Sequence, residues 1–205
     1  MKIRRQTVSG GKGMGQRLVV HVVSNHQDIA AIYYHWSAYT EDTLEEIKTL
    51  IDDFNEKGFD FSTMSKEEAQ LAVIKTLEAN GGGVDEADLP AAKSLFPTES
   101  FNESPDRSFG LVAISSGDMA NMNQLAEGRA MIDLSKRTFY TAVWDEPDLE
   151  DLEWYYPKDL EIARNTTGPD LSLTYDWDEI DDLLEEVENA PFLYSNDGRL
   201  FYKIG

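Results

Sequence analysis

The chain has 205 residues, of which 41% are hydrophobic, and a formal net charge of −21 at pH 7. This length favours a single domain over residues 1–205, and the hydrophobic content is enough to build a core, which argues against global disorder. The charge disfavours nucleic acid and anionic membranes as partners and favours basic proteins. The absence of cysteine excludes disulfides and cysteine nucleophiles. Because no apolar run reaches the roughly 18 residues of a membrane span, and no secretory signal is visible, we expect a cytoplasmic protein.

The first part of the sequence predicts strands. Residues 2–8 alternate in polarity, and the loop "SGGKGMG" follows them. This loop lacks the Lys-Ser/Thr ending of a phosphate-binding P-loop, so we do not expect it to bind phosphate. Residues 16–25 and 28–40 are rich in β-branched and aromatic side chains and predict a hairpin, with "NHQD" between its strands.

Two helices are predicted next. The first begins with Thr40 as N-cap and ends at Gly58. Its buried face is formed by residues at helical spacing, namely Leu44, Ile47, Ile51 and Phe54. The second begins at Ser65, which forms a capping box with Glu68, and ends at the glycines of positions 81–83.

The second part of the sequence alternates short strands and helices. Residues 84–107 predict a connection with a short helix at "PAAKSLF". A strand is predicted at 108–115, a short helix or loop at 117–128, and a second hairpin at 129–135 and 137–145. A further strand is predicted at 171–176 and a helix at 178–189. A final hairpin is predicted around Asp197–Gly198, with Gly198 at positive φ. The fold class expected is therefore α+β, with a mostly antiparallel sheet, or sheets, built from hairpins and several amphipathic acidic helices on one side.

Charge is distributed unevenly along the chain. Residues 1–20 contain five basic and no acidic residues, whereas residues 145–188 contain seventeen acidic and two basic residues. Coulomb attraction predicts that the basic N-terminus lies near this acidic region. Residues 145–190 also contain several aromatic residues. We interpret this acidic, aromatic-rich segment as a possible subdomain or interaction surface.

The stretch "DWDEIDDLLEEVEN" at 176–189 is the most acidic element, since eight of its fourteen residues are acidic. Ile180, Leu183, Leu184 and Val187 predict the buried stripe of a helix. The other positions of 178–188 place about one negative charge per 2.4 Å of helix axis, against about 1.7 Å for duplex DNA. The first helix is also acidic. Two solvated helix faces are the alternative explanation.

The function hypothesis is an acidic protein-interaction module. In size and charge the chain is similar to acidic decoy proteins, namely DNA-mimic antirestriction proteins, anti-CRISPR proteins and immunity proteins that block basic nucleases. This likeness implies an inhibitor that binds a basic, nucleic-acid-binding protein and makes no direct contact with nucleic acid. The residues expected to bind the partner are Asp178, Glu179, Asp182, Glu185, Glu186, Trp154 and Tyr155.

Histidines suggest an alternative. His21, His26 and His35 are the only histidines. If "NHQD" is a four-residue loop, His21 and His35 lie on opposite sheet faces, whereas a loop one residue longer or shorter would place them on the same face. We therefore expect no metal and no cofactor, and we assign no catalytic residue. A small cytoplasmic enzyme, for instance a hydrolase with a pocket near His35 among aromatic residues, remains the alternative function.

Overall fold

The computed structural model describes residues 17–38, 40–142, 174–189, 192–194 and 200–202, which form an α+β fold. The strands are β1 (Leu18–Ser24), β2 (Gln27–Tyr34), β3 (Gly83–Val84), β4 (Leu111–Ala113), β5 (Gly128–Asp133), β6 (Thr138–Ala142), β7 (Tyr175–Asp176), β8 (Phe192–Tyr194) and β9 (Leu200–Tyr202). The helices are α1 (Thr40–Glu56), α2 (Lys66–Ala79), α3 (Leu89–Leu95), α4 (Ser116–Asn123) and α5 (Ile180–Asn189), and a 3₁₀ turn at Trp177–Glu179 leads into α5. None of the helices in these ranges is both long and apolar enough to cross a bilayer.

The main sheet has seven strands in the order β3-β4-β2-β1-β5-β6-β7. Strand β1 pairs antiparallel with β2 but parallel with β5, and β3 pairs parallel with β4. The sheet is therefore mixed, and the expectation of a mostly antiparallel sheet is wrong. The hairpins were visible as local turn signals, but parallel neighbours need long connections that leave no local signature.

The turn of the first hairpin is tighter than the sequence suggested. Ser24 pairs with Gln27, so the turn contains two residues, Asn25 and His26, whose φ angles are 50° and 63°. Such positive φ values match the twist of the flanking strands. A β-bulge at Val22/Val23 then shifts the register so that His21 lies opposite Ala31. The four-residue loop is thus wrong.

The main hydrophobic core lies between one face of the sheet and helices α1, α2 and α5. The strand residues in it include Val20, Ile32, Val112, Ile132 and Phe139, all at most 1% exposed. The opposite face of β1, β2 and β4 is covered by α4. The helices therefore lie on both sides of the sheet, and the expectation of helices on one side is wrong. This second cluster consists of Val19, Ala31, Tyr33, Ala113, Met119 and Met122.

The predicted end of the first helix and the predicted start of the second are confirmed. Gly58 has a φ of 65° and follows α1, where the Phe59 N–H donates to the carbonyl of Phe54. At the start of α2, Ser65 and Glu68 form both hydrogen bonds of the capping box, at 2.8 and 3.2 Å. The predicted core positions of α1 are buried, namely Leu44, Ile47, Ile51 and Phe54.

Helix α5 buries the predicted apolar stripe in part. Ile180 is buried, Leu183 and Leu184 are partly buried against the main core, and the side chain of Val187 lies outside the described residues. The preceding Trp177 is buried, stacked on Phe54 at 6.2 Å between centroids. The 3₁₀ turn and α5 are therefore held by apolar packing below their acidic side.

The C-terminal hairpin is confirmed as a pairing of β8 with β9, in which Leu193 lies opposite Phe201. Gly198 lies outside the described residues, as do the predicted strand at 2–8, the N-terminal glycine-rich loop and most of the acidic segment at 145–190. Two candidate binding residues, Trp154 and Tyr155, fall in the same undescribed part.

Candidate functional site

Helices α1 and α5 pack against each other, and this contact defines the candidate site. Lys48 of α1 forms a salt bridge with Asp181 of α5, at 2.8 Å, and another with Asp52, one turn along α1, at 3.0 Å. Two helices that are separate in the sequence thus place their acidic residues beside each other. We call the exposed carboxylates of α1, the 3₁₀ turn and α5 the acidic face: Glu45, Asp52, Glu56, Asp178, Glu179, Asp181, Asp182 and Glu185.

The sequence-predicted binding residues are placed as follows. Asp178 and Glu179 lie in the 3₁₀ turn, and Asp182 and Glu185 lie in α5, all with exposed side chains. Glu186 also lies in α5, although its side chain is outside the described set. The acidic residues of this set therefore share one short stretch, next to exposed carboxylates of α1 that sequence reasoning had noted but had not connected to it.

One member of the set has a structural role. The Asp176 N–H donates to Glu179 Oε2 at 2.7 Å, and Asp176 and Glu179 form a reciprocal capping box at the start of the 3₁₀ turn. A capping box satisfies backbone donors that the helix itself cannot satisfy. The Asp-x-x-Glu spacing is the signal that could have revealed this role from the sequence.

Lys48 is the cation that lies between the two helices. Hydrogen bonds to Asp181 and Asp52 raise the pKa of Lys48 above its ordinary value. Other cations lie beside α1, where Lys57 donates to Thr76 of α2 at 3.0 Å and Arg137 donates to Asn55 at 3.1 Å. Lys48 therefore offsets part of the repulsion between the carboxylates of α1 and α5.

Glu46 is a partly buried carboxyl group on α1. Burial is the main cause that raises its pKa, to about 7, and nearby Asp42 and Glu45 also raise it. The Ser37 hydroxyl, which donates to Oε1 at 2.8 Å, opposes this rise. The neighbouring Tyr34 is fully buried, and burial raises its pKa well above the ordinary value. Glu46 thus changes charge near neutral pH, which no sequence signal indicated.

A second group of polar and aromatic residues surrounds His35. The Tyr33 hydroxyl and His35 Nδ1 are hydrogen-bonded at 2.8 Å, and the ring of Trp36 meets that of His35 edge-on at 4.4 Å between centroids. Burial raises the pKa of Tyr33, and the positive charges of Arg17 and Arg107 oppose this rise. Both arginines therefore lie within electrostatic range of the Tyr33 hydroxyl.

The corrected register places His21 on the same sheet face as Tyr33 and His35, yet His21 has a different partner. His21 Nε2 is hydrogen-bonded to Asn123 Oδ1 at the end of α4, and burial lowers the pKa of His21. In the part of the chain that the structure describes, no group of three or more His, Cys, Asp or Glu residues could hold a metal ion.

A shallow groove lies between α3 and the start of α4. It has a volume of about 350 Å³ and is lined by Ala91, Ser94, Leu95, Ile114 and Ser115. His35 does not line it. The groove therefore gives no support to a catalytic pocket around His35.

Comparisons with known proteins found no matching family model, no matching curated protein and no matching solved structure. Functional inference therefore depends on the site itself.

Proposed function

We propose that the chain is an acidic protein-interaction module whose acidic face binds a basic surface of a partner protein. The observation that supports this most is the packing of α1 beside α5, with Lys48 bridging Asp52 and Asp181. It joins two runs of exposed carboxylates into one surface. A basic surface large enough to cover both helices is typical of proteins that bind nucleic acid.

The acidic residues are carried by a supported scaffold. Trp177 and Ile180 are buried beneath the 3₁₀ turn and α5, and Phe54 stacks on Trp177. Ordered carboxylates lose less conformational entropy on binding than carboxylates on a flexible tail. Repulsion at i, i+4 between Asp178 and Asp182 costs a few tenths of a kcal/mol, about as much as a favourable pair gains. A basic partner would relieve this cost.

We propose that the acidic face inhibits its partner by covering the partner's basic surface. A partner whose basic surface is covered by the acidic face cannot place the same surface on nucleic acid. Electrostatic steering speeds such an encounter and makes its rate depend on salt. The antirestriction, anti-CRISPR and nuclease-immunity classes all work against basic nucleic-acid-binding proteins, and the proposal places this chain in that broad group.

The test compares two triple variants of equal charge. The first replaces exposed residues of the acidic face, Asp178→Lys, Asp182→Lys and Glu185→Lys, and keeps Glu179 and Asp181 because of their structural contacts. The second replaces exposed acids elsewhere, Glu67→Lys, Glu86→Lys and Glu103→Lys. Each triple variant changes the formal net charge by the same amount, so only the position of the change differs.

Wild-type protein and both variants are used to capture partners from a cell lysate, and the captured partner is then purified. We expect capture by the wild type and the control variant, loss of capture by the acidic-face variant, and competition between the wild type and duplex DNA for the partner. Equal capture by all three proteins would show that the acidic face is only a solvated surface.

A further inference from the structure

Three chain segments meet at one corner of the sheet, around His35. Strand β2 ends at Tyr34, and the next residue, His35, donates its N–H to the carbonyl of Arg107 at 3.2 Å. Arg17 directly precedes β1, whose first residue, Leu18, pairs with Tyr34. We call Arg17, Tyr33, His35, Trp36 and Arg107 the His35 corner.

Tyr33 fixes the imidazole of His35. The two residues lie on the same side of the strand, and the Tyr33 hydroxyl meets Nδ1 at 2.8 Å. Nε2 of His35 makes no hydrogen bond to another described residue, and the side chain of His35 is only partly buried. The corner thus presents an oriented ring nitrogen that can donate or accept a hydrogen bond.

Trp36 is 55% exposed, the largest exposed fraction among the large hydrophobic side chains that the structure describes. Its edge contact with His35 holds one side of the indole at a centroid distance of 4.4 Å. Exposed aromatic faces that are held by a neighbour are suited to stacking on flat rings.

The corner contains two arginines, Arg17 and Arg107. Arg17 is neutralised by Glu127, with 3.0 Å between Nη2 and Oε1. Arg107 is exposed, and it forms no ion pair with any residue in the described ranges. The Arg107 charge lies within electrostatic range of the Tyr33 hydroxyl, which is hydrogen-bonded to His35.

We propose that the His35 corner binds a small aromatic anion, that is, a flat ring bearing a carboxylate or a phosphate group. The ring stacks on Trp36, while the anionic group is bound by Arg107 and accepts a hydrogen bond from His35. A long polyanion is disfavoured, because it would extend over a surface of the same sign. A small ligand stays within the corner, and charges farther away than about 8 Å are screened at physiological salt.

The experiment is an NMR titration of the full chain that follows the indole N–H signal of Trp36, assigned with Trp36→Phe. Four probes are used: benzoate, adenosine monophosphate, adenosine and inorganic phosphate. We expect saturable shifts with benzoate or with adenosine monophosphate, and at least tenfold weaker binding of adenosine and phosphate. Binding of benzoate alone assigns the site to carboxylates, and binding of the nucleotide alone assigns it to phosphates.

Two variants of equal charge separate the site from general electrostatics. Arg107→Gln should weaken binding by about tenfold, a loss of about 1.4 kcal/mol. The control, Arg129→Gln, removes an exposed arginine of β5 and should leave affinity unchanged. The fold should survive Arg107→Gln because only the backbone carbonyl of Arg107 bonds His35. The proposal is overturned by the absence of saturable shifts at roughly 10 mM probe, by equal binding of adenosine or phosphate, or by equal affinities of the two variants.

Discussion

Lys48 of α1 reaches Asp181 of α5, with 2.8 Å between Nζ and Oδ1. The Asp181 side chain is 73% exposed, so solvent screens the pair. Lys48→Gln should therefore lower the free energy of unfolding by only about 0.5 kcal/mol, and by less at high salt. Urea unfolding at low and high NaCl measures both effects.

Lys48→Gln also removes the positive charge between the carboxylates of the two helices. If the acidic face binds a basic partner, the variant should associate faster than the wild type at low salt. Lys93→Gln, at an exposed position of α3, is the matched control and should leave the association rate nearly unchanged. A slower association of the Lys48 variant would argue against the acidic face as the contact surface.

Glu46 predicts a specific pH dependence of stability. Its folded pKa is raised to about 7, above the ordinary value of 4.5, so the folded state binds its proton more tightly than the unfolded state. Its contribution to stability is therefore fully present below about pH 4.5 and is lost as pH rises through about 7. Glu46→Gln should remove this loss and make the protein more stable than the wild type at pH 8.

The measurement is the free energy of unfolding of both proteins between pH 5 and pH 8. Other titrating groups contribute equally to both, so the difference between the two curves isolates Glu46. Glu56→Gln, at an exposed position of the same helix, serves as control. A constant difference between the wild type and Glu46→Gln across this range would contradict the raised pKa.

Asp88 connects the start of α3 to the end of β4. It is fully buried, and its Oδ2 accepts hydrogen bonds from the N–H groups of Ile114 and Ser115. Asp88→Ala would leave two backbone donors without an acceptor, which should cost about 2–4 kcal/mol. Asp88→Asn keeps an acceptor oxygen and should cost less.

Thermal and urea unfolding would rank these variants. Asp85→Ala is the comparison, because within the described residues the Asp85 carboxylate accepts a hydrogen bond only from the exposed Ala87 N–H. An Asp88→Ala variant as stable as Asp85→Ala would mean that the two donors find other acceptors.

Structural features that depend on a few neighbouring residues could be predicted from the sequence. The Ser65–Glu68 capping box, the end of α1 at Gly58 and the turn between β5 and β6 each depend on neighbours within about four residues, and all three are confirmed. The parallel pairing of β1 with β5 depends on chain segments far apart, and its outcome is decided by packing of the helices between them.

In the candidate site, too, local features could be predicted from the sequence and tertiary contacts could not. The acids of 178–185 and the buried Ile180 follow from helical spacing, but the position of α5 beside α1 does not, because it results from tertiary contacts of Trp177 and Phe54. One bulge at Val22/Val23 shifts the register of the hairpin and decides which face His21 occupies. The partial burial of Glu46 and its hydrogen bond from Ser37 also depend on tertiary structure, since the sequence shows Glu46 only as another acidic residue of α1.

The apolar side of α5 gives the sharpest test of the scaffold under the acidic face. Ile180 is 3% exposed, whereas Leu183 is partly exposed at the margin of the core. Ile180→Ala should lower the free energy of unfolding by about 2–4 kcal/mol, and Leu183→Ala by about half as much, because less apolar surface is lost and solvent can fill the gap. Glu185→Gln should change it by no more than about 0.5 kcal/mol, as expected at an exposed position. Urea unfolding of the three variants gives the ranking, and a larger loss for Glu185→Gln than for Ile180→Ala would mean that α5 buries its acidic side. If the ranking is as expected, Leu183→Ala should also weaken binding of a basic partner, although it removes no charge. The reason is that the variant's α5 is less ordered, and ordering it when the complex forms costs free energy.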